Sequence, residues 1–419
     1  MTRMRLLMKS ACRNGQHTTG RSPHHNDPVT LDRLDRITGC LLGGAIGDAL
    51  GAPVEFWSQE QIDQTFGKPG VRSYHPVTFP NAHGIGLITD DTQMTLFTAE
   101  GLLRSDMRST AKGICHTPSV IHHAYLRWRT TQQEQQQQAP EQQPKKQSTT
   151  SDSTDPFDPA SIDGWLAHEP WLHSRRAPGT TCLTALEAAQ ALGDPAVNNS
   201  KGCGAVMRSA PFGLIPMTDA PGLAVECAAL THGHPTGQLT AGALTVIIET
   251  LMGGRPLASA VTMAQHWLNE QRDSDETARA LSRAHELAQA TAPHMGSTHL
   301  ESIHRQNIDD LGEGWIAEEA LAIGVYAALA YPEADQIRDA LSLAVSHKGD
   351  SDSTGSICGN ILGALHGSRA LPTDLVADLE GHDTIVQLAT DLWSMTDEEQ
   401  EYSSTEEWID KWSDRYPGW

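Results

Sequence analysis

Glycine recurs every fourth residue in two stretches about 300 residues apart: Gly39, Gly43, Gly47 and Gly51, then Gly355, Gly359, Gly363 and Gly367. If each stretch is a helix, a step of four puts all four glycines on one face. Each glycine costs up to about 1 kcal/mol in a helix interior. A chain that carries so many needs compensation, and close backbone approach to a second helix is the direct source. Gly51 and Gly367, at the segment ends, also fit loops. The interior ones predict two tightly packed central helices, with Asp48 and the residues around 350 deep in the same core.

Other segments carry the same helical signature. Leu321, Val325 and Leu329 lie four apart within 318–330, and Ile337, Leu341 and Val345 repeat that spacing. The run from Ala241 to Met252 is apolar nearly all round and ends in Gly253-Gly254, the pattern of a buried helix with a glycine stop. Alternating β-branched strands are scarce. The expected class is all-α.

Three regions depart from this pattern. Residues 1–32 lack hydrophobic periodicity and are expected to form a disordered tail. A Gln-, Pro- and Ser-rich tract at about 130–159 is too poor in apolar residues to offset its ordering entropy, and reads as an insertion into one domain, 33–372. From 373 to 419 an acidic, Trp-bearing extension (Trp393, Trp408, Trp412, Trp419) is expected to pack on that core.

The net charge of −22 argues against a phosphate-backbone binder, which needs a basic footprint. Seven scattered cysteines with no C-x-x-C spacing point away from disulfides and zinc, towards a reducing cytosol. The uncharged run from Ile37 to Gly47 is too short to span a bilayer. A cytoplasmic protein, without membrane or nucleic-acid partners, is expected.

Two acidic clusters each open a helix-like segment: Thr89-Asp90-Asp91-Thr92 and Asp350-Ser351-Asp352-Ser353-Thr354. One reading is N-capping, since Thr or Asp caps helices and acidic first turns suit the helix dipole. The other is a metal site. A cap needs one side chain, whereas these ends crowd carboxylates whose repulsion a cation would relieve. All-oxygen donors with flanking hydroxyls suit Mg²⁺ or Mn²⁺ rather than zinc or copper.

Further candidates surround these. Glu55 follows a Gly/Pro-bounded turn and reads either as a solvated carboxylate or as a base or gate in a cleft. Asp48, in an apolar run, needs a partner, by default backbone. The loop Gly202-Cys203-Gly204-Ala205 could cradle phosphate through backbone N–H groups, although it is no P-loop. Cys203 reads as a small filler rather than a nucleophile. Arg208 is a partner for a core carboxylate or a ligand phosphate. His232 in Thr231-His232-Gly233-His234 is either a ligand contact or a satisfied core histidine.

Taken in order, these motifs resemble the ADP-ribosylglycohydrolase family. The resembling elements are 43–51 with Glu55, then Thr89-Asp90-Asp91-Thr92, the loop through Met207-Arg208, Thr231-His232, Gly314-Trp315-Ile316-Ala317-Glu318-Glu319-Ala320-Leu321, and 349–354. Together they span about residues 35–370.

The resemblance implies a compact, single-domain orthogonal helical bundle around two Mg²⁺ or Mn²⁺ ions. The implied metal ligands are Thr89, Asp90, Asp91, Asp350, Asp352 and Ser353; Ser353 stands where many relatives have Thr. Gly202, Cys203, Gly204, Ala205 and His232 are the implied substrate contacts, with Cys203 departing from a loop that often reads Gly-Asn-Gly. Asp90, Asp91 or Asp352 would take a water proton, and Glu55 would gate the site or act as acid/base.

The implied reaction is hydrolysis at C1″ of ADP-ribose on a modified protein, with arginine as acceptor, by a monomeric enzyme. Other ADP-ribosyl linkages (serine, nucleobase, small-molecule conjugates) and a non-catalytic ADP-ribose binder are the alternatives.

Overall fold

The computed structural model describes residues 32–68, 70–133, 163–396 and 405–418. The N-terminal tail up to 31 and the insertion beyond 133 lie outside the described residues.

Among these residues the chain is built almost wholly of helices. In order they are α1 (Arg33–Gly51), α2 (Gln59–Phe66), α3 (Asp90–Lys112), α4 (Thr117–Thr131), α5 (Thr180–Ala188), α6 (Ala210–Leu214), α7 (Ala220–Ala229), α8 (Pro235–Met252) and α9 (Leu257–Asn269). There follow α10 (Asp275–Thr291), α11 (Leu300–Leu311), α12 (Ala317–Ala330), α13 (Ile337–Val345), α14 (Ser351–His366), α15 (Thr373–Ala377), α16 (His382–Thr396) and α17 (Thr405–Trp412). One small hairpin, β1 (Val77–Phe79) with β2 (Ala82–Gly84), interrupts them, turning at Asn81 with φ of 65°. The all-α class therefore holds.

The two glycine-bearing helices are the axis of the molecule. A Cβ added at Gly39, Gly43 or Gly47 would strike the carbonyl oxygen of Gly363, Gly359 or Gly355, and one at Gly51 would strike Ser351. Facing residue numbers fall along α14 as they rise along α1, so the pair is antiparallel and in backbone contact. Only residues without side chains permit this approach. Gly51 belongs to the seam as the last residue of α1, whereas Gly367 is the C-cap of α14, at φ 79°.

The antiparallel seam sets the end of α1 beside the start of α14. Around it α12 packs against α14 and α10, and α8, buried along most of its length, ends at Gly253. The C-terminal helices also join this core: α16 lies on α1 and α3, and Trp408 and Trp412 are buried. Arg104 and Arg108 of α3 donate to the carbonyls of Pro417 and Gly418, both at 3.1 Å. No helix among the described residues is long and apolar enough to cross a membrane.

Candidate functional site

Where α1 ends, α3 and α14 begin. Asp48, in the last turn of α1, is fully buried. Its carboxylate accepts the backbone N–H of Thr89 on both oxygens at 3.0 Å, the N–H of Thr92 at 3.1 Å, and the Thr92 hydroxyl. Asp48 thus answers the unpaired N–H groups at the head of α3, which an N-terminus leaves open. The partner expected for this buried carboxylate is backbone, from a helix 41 residues on.

Both acidic clusters are caps as well as clusters. Thr89 is the N-cap of α3, its hydroxyl accepting from Asp91 N–H at 3.3 Å. Asp350 is the N-cap of α14, its carboxylate accepting from Ser353 N–H at 3.3 Å. The same Ser353 N–H reaches Asp352 Oδ1 at 2.9 Å. Capping consumes few of the available oxygens. Asp91 Oδ1 is buried and has no hydrogen-bond partner among the described residues.

The seam brings these carboxylates into one electrostatic group. Burial raises Asp90, Asp91 and Asp350 well above the carboxylate range, and Asp352 is the foremost charged neighbour adding to each. Asp48 is pushed up to about 7 by burial and by Asp352. Glu55, in the turn just beyond α1, is pushed up to about 11, by burial first and then by Asp352, Asp350, Asp90 and Asp48. It is buried, so the solvated-loop alternative does not hold. Burial raises Asp352 too, while hydrogen bonds from Asp350 and the Ser353 N–H counter the rise.

Charge repulsion of this kind is what a divalent cation relieves. The donors are carboxylate and hydroxyl oxygens, the Asp91 Oδ1 is left without a hydrogen-bond partner among the described residues, and the residues fit a hard metal. Among the described residues no three acidic, His or Cys side chains are already closed into a metal cage.

The loop 202–205 lies against this group. Its 3-10 turn, Cys203–Ala205, is held by an isolated bridge between Gly202 and Ile316 and by Ala317 N–H donating to Lys201 O at 2.8 Å. Lys201 Nζ ties the loop further, to Glu276 at 2.9 Å and Glu318 at 2.5 Å. The Cys203 thiol donates to Asp350 Oδ2 at 2.7 Å, so Cys203 touches the acidic cluster rather than merely filling space. His232 faces the same loop: a Cβ on Gly204 would lie 3.2 Å from its Cε1.

Burial, and then Arg208, push His232 down to about 3, so its ring is neutral. Its Nδ1 lies 2.8 Å from the Thr231 hydroxyl, and its buried Nε2 has no hydrogen-bond partner among the described residues. Among the described residues Arg208 pairs with no carboxylate. It donates to the Thr231 hydroxyl at 2.6 Å and stacks 4.1 Å over Tyr125, orienting Thr231 and through it His232.

Phe56, 74% exposed, stacks on Trp315, 39% exposed, at 5.7 Å. These rings flank the acidic group: Phe56 follows Glu55, and Trp315 follows Gly314, where an added Cβ would lie 3.2 Å from Asp350 Cβ. A separate cavity of about 440 Å³ between α2, α11 and α13 is lined by none of Glu55, Asp90, Asp91, Asp350 and Asp352.

All the sequence-derived candidates thus gather at one end of the seam. The reading missed residues that hold them there, chiefly Arg176, Gly179 and Glu380. Gly179 N–H donates to Asp90 Oδ2 at 3.3 Å, and Asp90 N–H donates to Arg176 O at 3.0 Å. These partners lie about 90 residues away in the chain with no local motif, so no sequence signal could have found them.

The family model described as ADP-ribosylglycohydrolase matches residues 29–402. Uncharacterized protein YegU of Escherichia coli (strain K12) is 25% identical over 364 residues, covering 83% of this chain and 92% of that protein. The ADP-ribosyl-[dinitrogen reductase] glycohydrolase of Rhodospirillum rubrum is 24% identical over 355 residues, covering 83% and 90%. A solved structure titled ADP-ribosylglycohydrolase-related protein complex superposes with a TM-score of 0.58 at 24% identity, over 87% of this chain and 99% of that one, and shares its fold.

Proposed function

The chain belongs to the ADP-ribosylglycohydrolase family and is a hydrolase of glycosidic bonds to ADP-ribose; on that premise we propose that it releases ADP-ribose from modified arginine, using two Mg²⁺ or Mn²⁺ ions. The observation that carries the proposal is the convergence of Glu55, Asp90, Asp91, Asp350 and Asp352 in one buried, mutually repelling group. The orphan oxygen of Asp91 and the capping hydroxyl of Thr89 supply further donors.

Thr89, Asp90, Asp91, Asp350, Asp352 and Ser353 are the residues that would hold the ions. When bound, the pair would favour the ionised carboxylates and polarise a water and the distal-ribose hydroxyls. The chain's own groups divide the remaining work. Cys203, Gly204 and Ala205 present backbone N–H groups to the diphosphate, Gly202 N–H being taken by the Ser200 hydroxyl at 3.3 Å, and the neutral His232 offers Nε2 beside them. Asp90, Asp91 or Asp352 accepts the proton of the attacking water. Glu55, buried beside Asp352, Asp350 and Asp90, is suited to donate to the departing guanidine nitrogen or to gate the site. Asp48 serves the head of α3, accepting from Thr89 N–H, Thr92 N–H and the Thr92 hydroxyl.

Purified protein with Mg²⁺ or Mn²⁺ should release free ADP-ribose from an arginine-ADP-ribosylated protein. Absence of release with metal demonstrably bound would sink the arginine assignment, and release from a serine-linked substrate in the same panel would replace it.

A further inference from the structure

We infer that Glu380, in the segment between α15 and α16, is a positioning residue for the metal-ligand candidates at the head of α3, acting through Arg176. The inference rests on the metal reading above for its consequence, but its geometry stands alone.

Asp90 is held from outside its own helix. Its N–H and its Oδ2 are both engaged by the segment 176–179, through Arg176 O at 3.0 Å and Gly179 N–H at 3.3 Å. Whatever places that segment therefore aims the Asp90 carboxylate. The Arg176 side chain, 1% exposed, anchors it. Its Nη1 donates to Glu380 Oε2 at 3.0 Å and its Nη2 to Glu380 Oε1 at 2.8 Å, a two-point fork. Nη1 also donates to Ile88 O at 3.2 Å, and Ile88 N–H donates to Glu380 Oε2 at 3.3 Å.

One carboxylate thus ties together both strands of chain that lead to Asp90: residue 88, which enters α3, and residue 176, which runs alongside. The contact is built at the backbone as well. Glu380 N–H donates to Gly86 O at 2.9 Å, and Gly86, at φ 67°, admits the carbonyl of Asp378 where a Cβ would collide.

The charge of Glu380 is as necessary as its hydrogen bonds. Arg176 is a buried cation, and its guanidinium is paired with Glu380. Without that partner the guanidinium would be buried and uncompensated. The segment 176–179 that holds Asp90 would lose its anchor. Partners that orient metal ligands typically change metal affinity by about 10- to 100-fold when removed.

The test uses Glu380→Gln, which keeps shape and removes charge, and Glu380→Asp, which keeps charge and shortens reach, in the full-length protein. Mn²⁺ affinity is measured by titration calorimetry, and backbone exchange by mass spectrometry in metal-free protein. Glu380→Gln should weaken Mn²⁺ binding by at least about tenfold, with Glu380→Asp recovering part of the loss. Exchange should accelerate in the peptides covering 86–92 and 174–181 while α8 is unchanged.

A variant that loses thermal stability, yet binds Mn²⁺ within about twofold of wild type and exchanges normally at 86–92, would overturn the inference. Failure of the wild-type protein to bind Mn²⁺ would refute the metal reading instead. In that event the exchange pattern alone decides whether Glu380 positions Asp90, and an unchanged pattern refutes it.

Discussion

Gly359→Ala tests the packing that places the whole site. Gly359 is interior to α14 and faces Gly43 of α1. A methyl carbon there would stand well under 3.0 Å from the carbonyl oxygen and carbon of Gly43, and 3.0 Å from Gly44 N, whereas ordinary contact begins at 3.4 Å. The obstruction is backbone, so no rotamer change relieves it. The helices would have to part by about 1 Å, a gap that forfeits up to about half of the dispersion attraction across the seam.

Overpacking of this sort costs about 3 kcal/mol, offset by up to about 1 kcal/mol from the better helix propensity of alanine. The net loss should be about 2 kcal/mol, read from urea unfolding with Gly84→Ala as control, because a Cβ at Gly84 meets nothing within 4 Å. If Gly359→Ala were as stable as wild type, or gained the increment expected of a free helix, the seam would not be in backbone contact and the reasoning would fail.

Metal-free protein should lose stability as pH rises from about 7 to 8.5, and Mn²⁺ should remove that slope; thermal melts with chelator or with millimolar MnCl₂ check both. The sign follows from carboxyls raised in the folded state, Glu55 to about 11 and Asp90, Asp91 and Asp350 well above normal, which bind protons that the unfolded chain has released. The window avoids His122, His123, His232 and His304, whose depressed values make stability rise with pH only up to the unfolded histidine range. A slope of the opposite sign between these limits would contradict the account of the acidic group.

Asp352→Ala should abolish Mn²⁺ binding in calorimetry while leaving the metal-free protein folded, since it removes the neighbour that repels every other carboxylate; retained tight binding would refute its place in the site. Cys203→Ser should hold Mn²⁺ affinity within about twofold because the hydroxyl can still donate to Asp350, whereas Cys203→Ala should change it by about tenfold. Equal affinities for the two variants would show that the thiol contact does not matter.

Much of this was legible because its signals are local and periodic. Glycine at a step of four has few explanations, and both seam helices and their contact followed from it. The acidic clusters sit at helix starts, where cap and ligand readings coincide: Thr89 and Asp350 are caps and also members of the coupled group. What stayed hidden depends on contacts between distant segments.

Nothing near Arg208 says that its partner is the Thr231 hydroxyl rather than a carboxylate. Cys203 looked like filler, because its contact with Asp350 joins positions 147 residues apart. The Arg176–Glu380 fork spans 204 residues and has no motif at either end. Glu55 was ambiguous for another reason: a carboxylate in a turn is ordinarily solvated, and only the fold buries it.

The most direct test of the central claim is anomalous diffraction at the manganese edge from crystals grown with MnCl₂ and ADP-ribose. Two peaks framed by Thr89, Asp90, Asp91, Asp350, Asp352 and Ser353, with the distal ribose against them and the diphosphate along 202–205, are the predicted result. Ordered ADP-ribose with no manganese among those carboxylates, or manganese bound elsewhere, would contradict it.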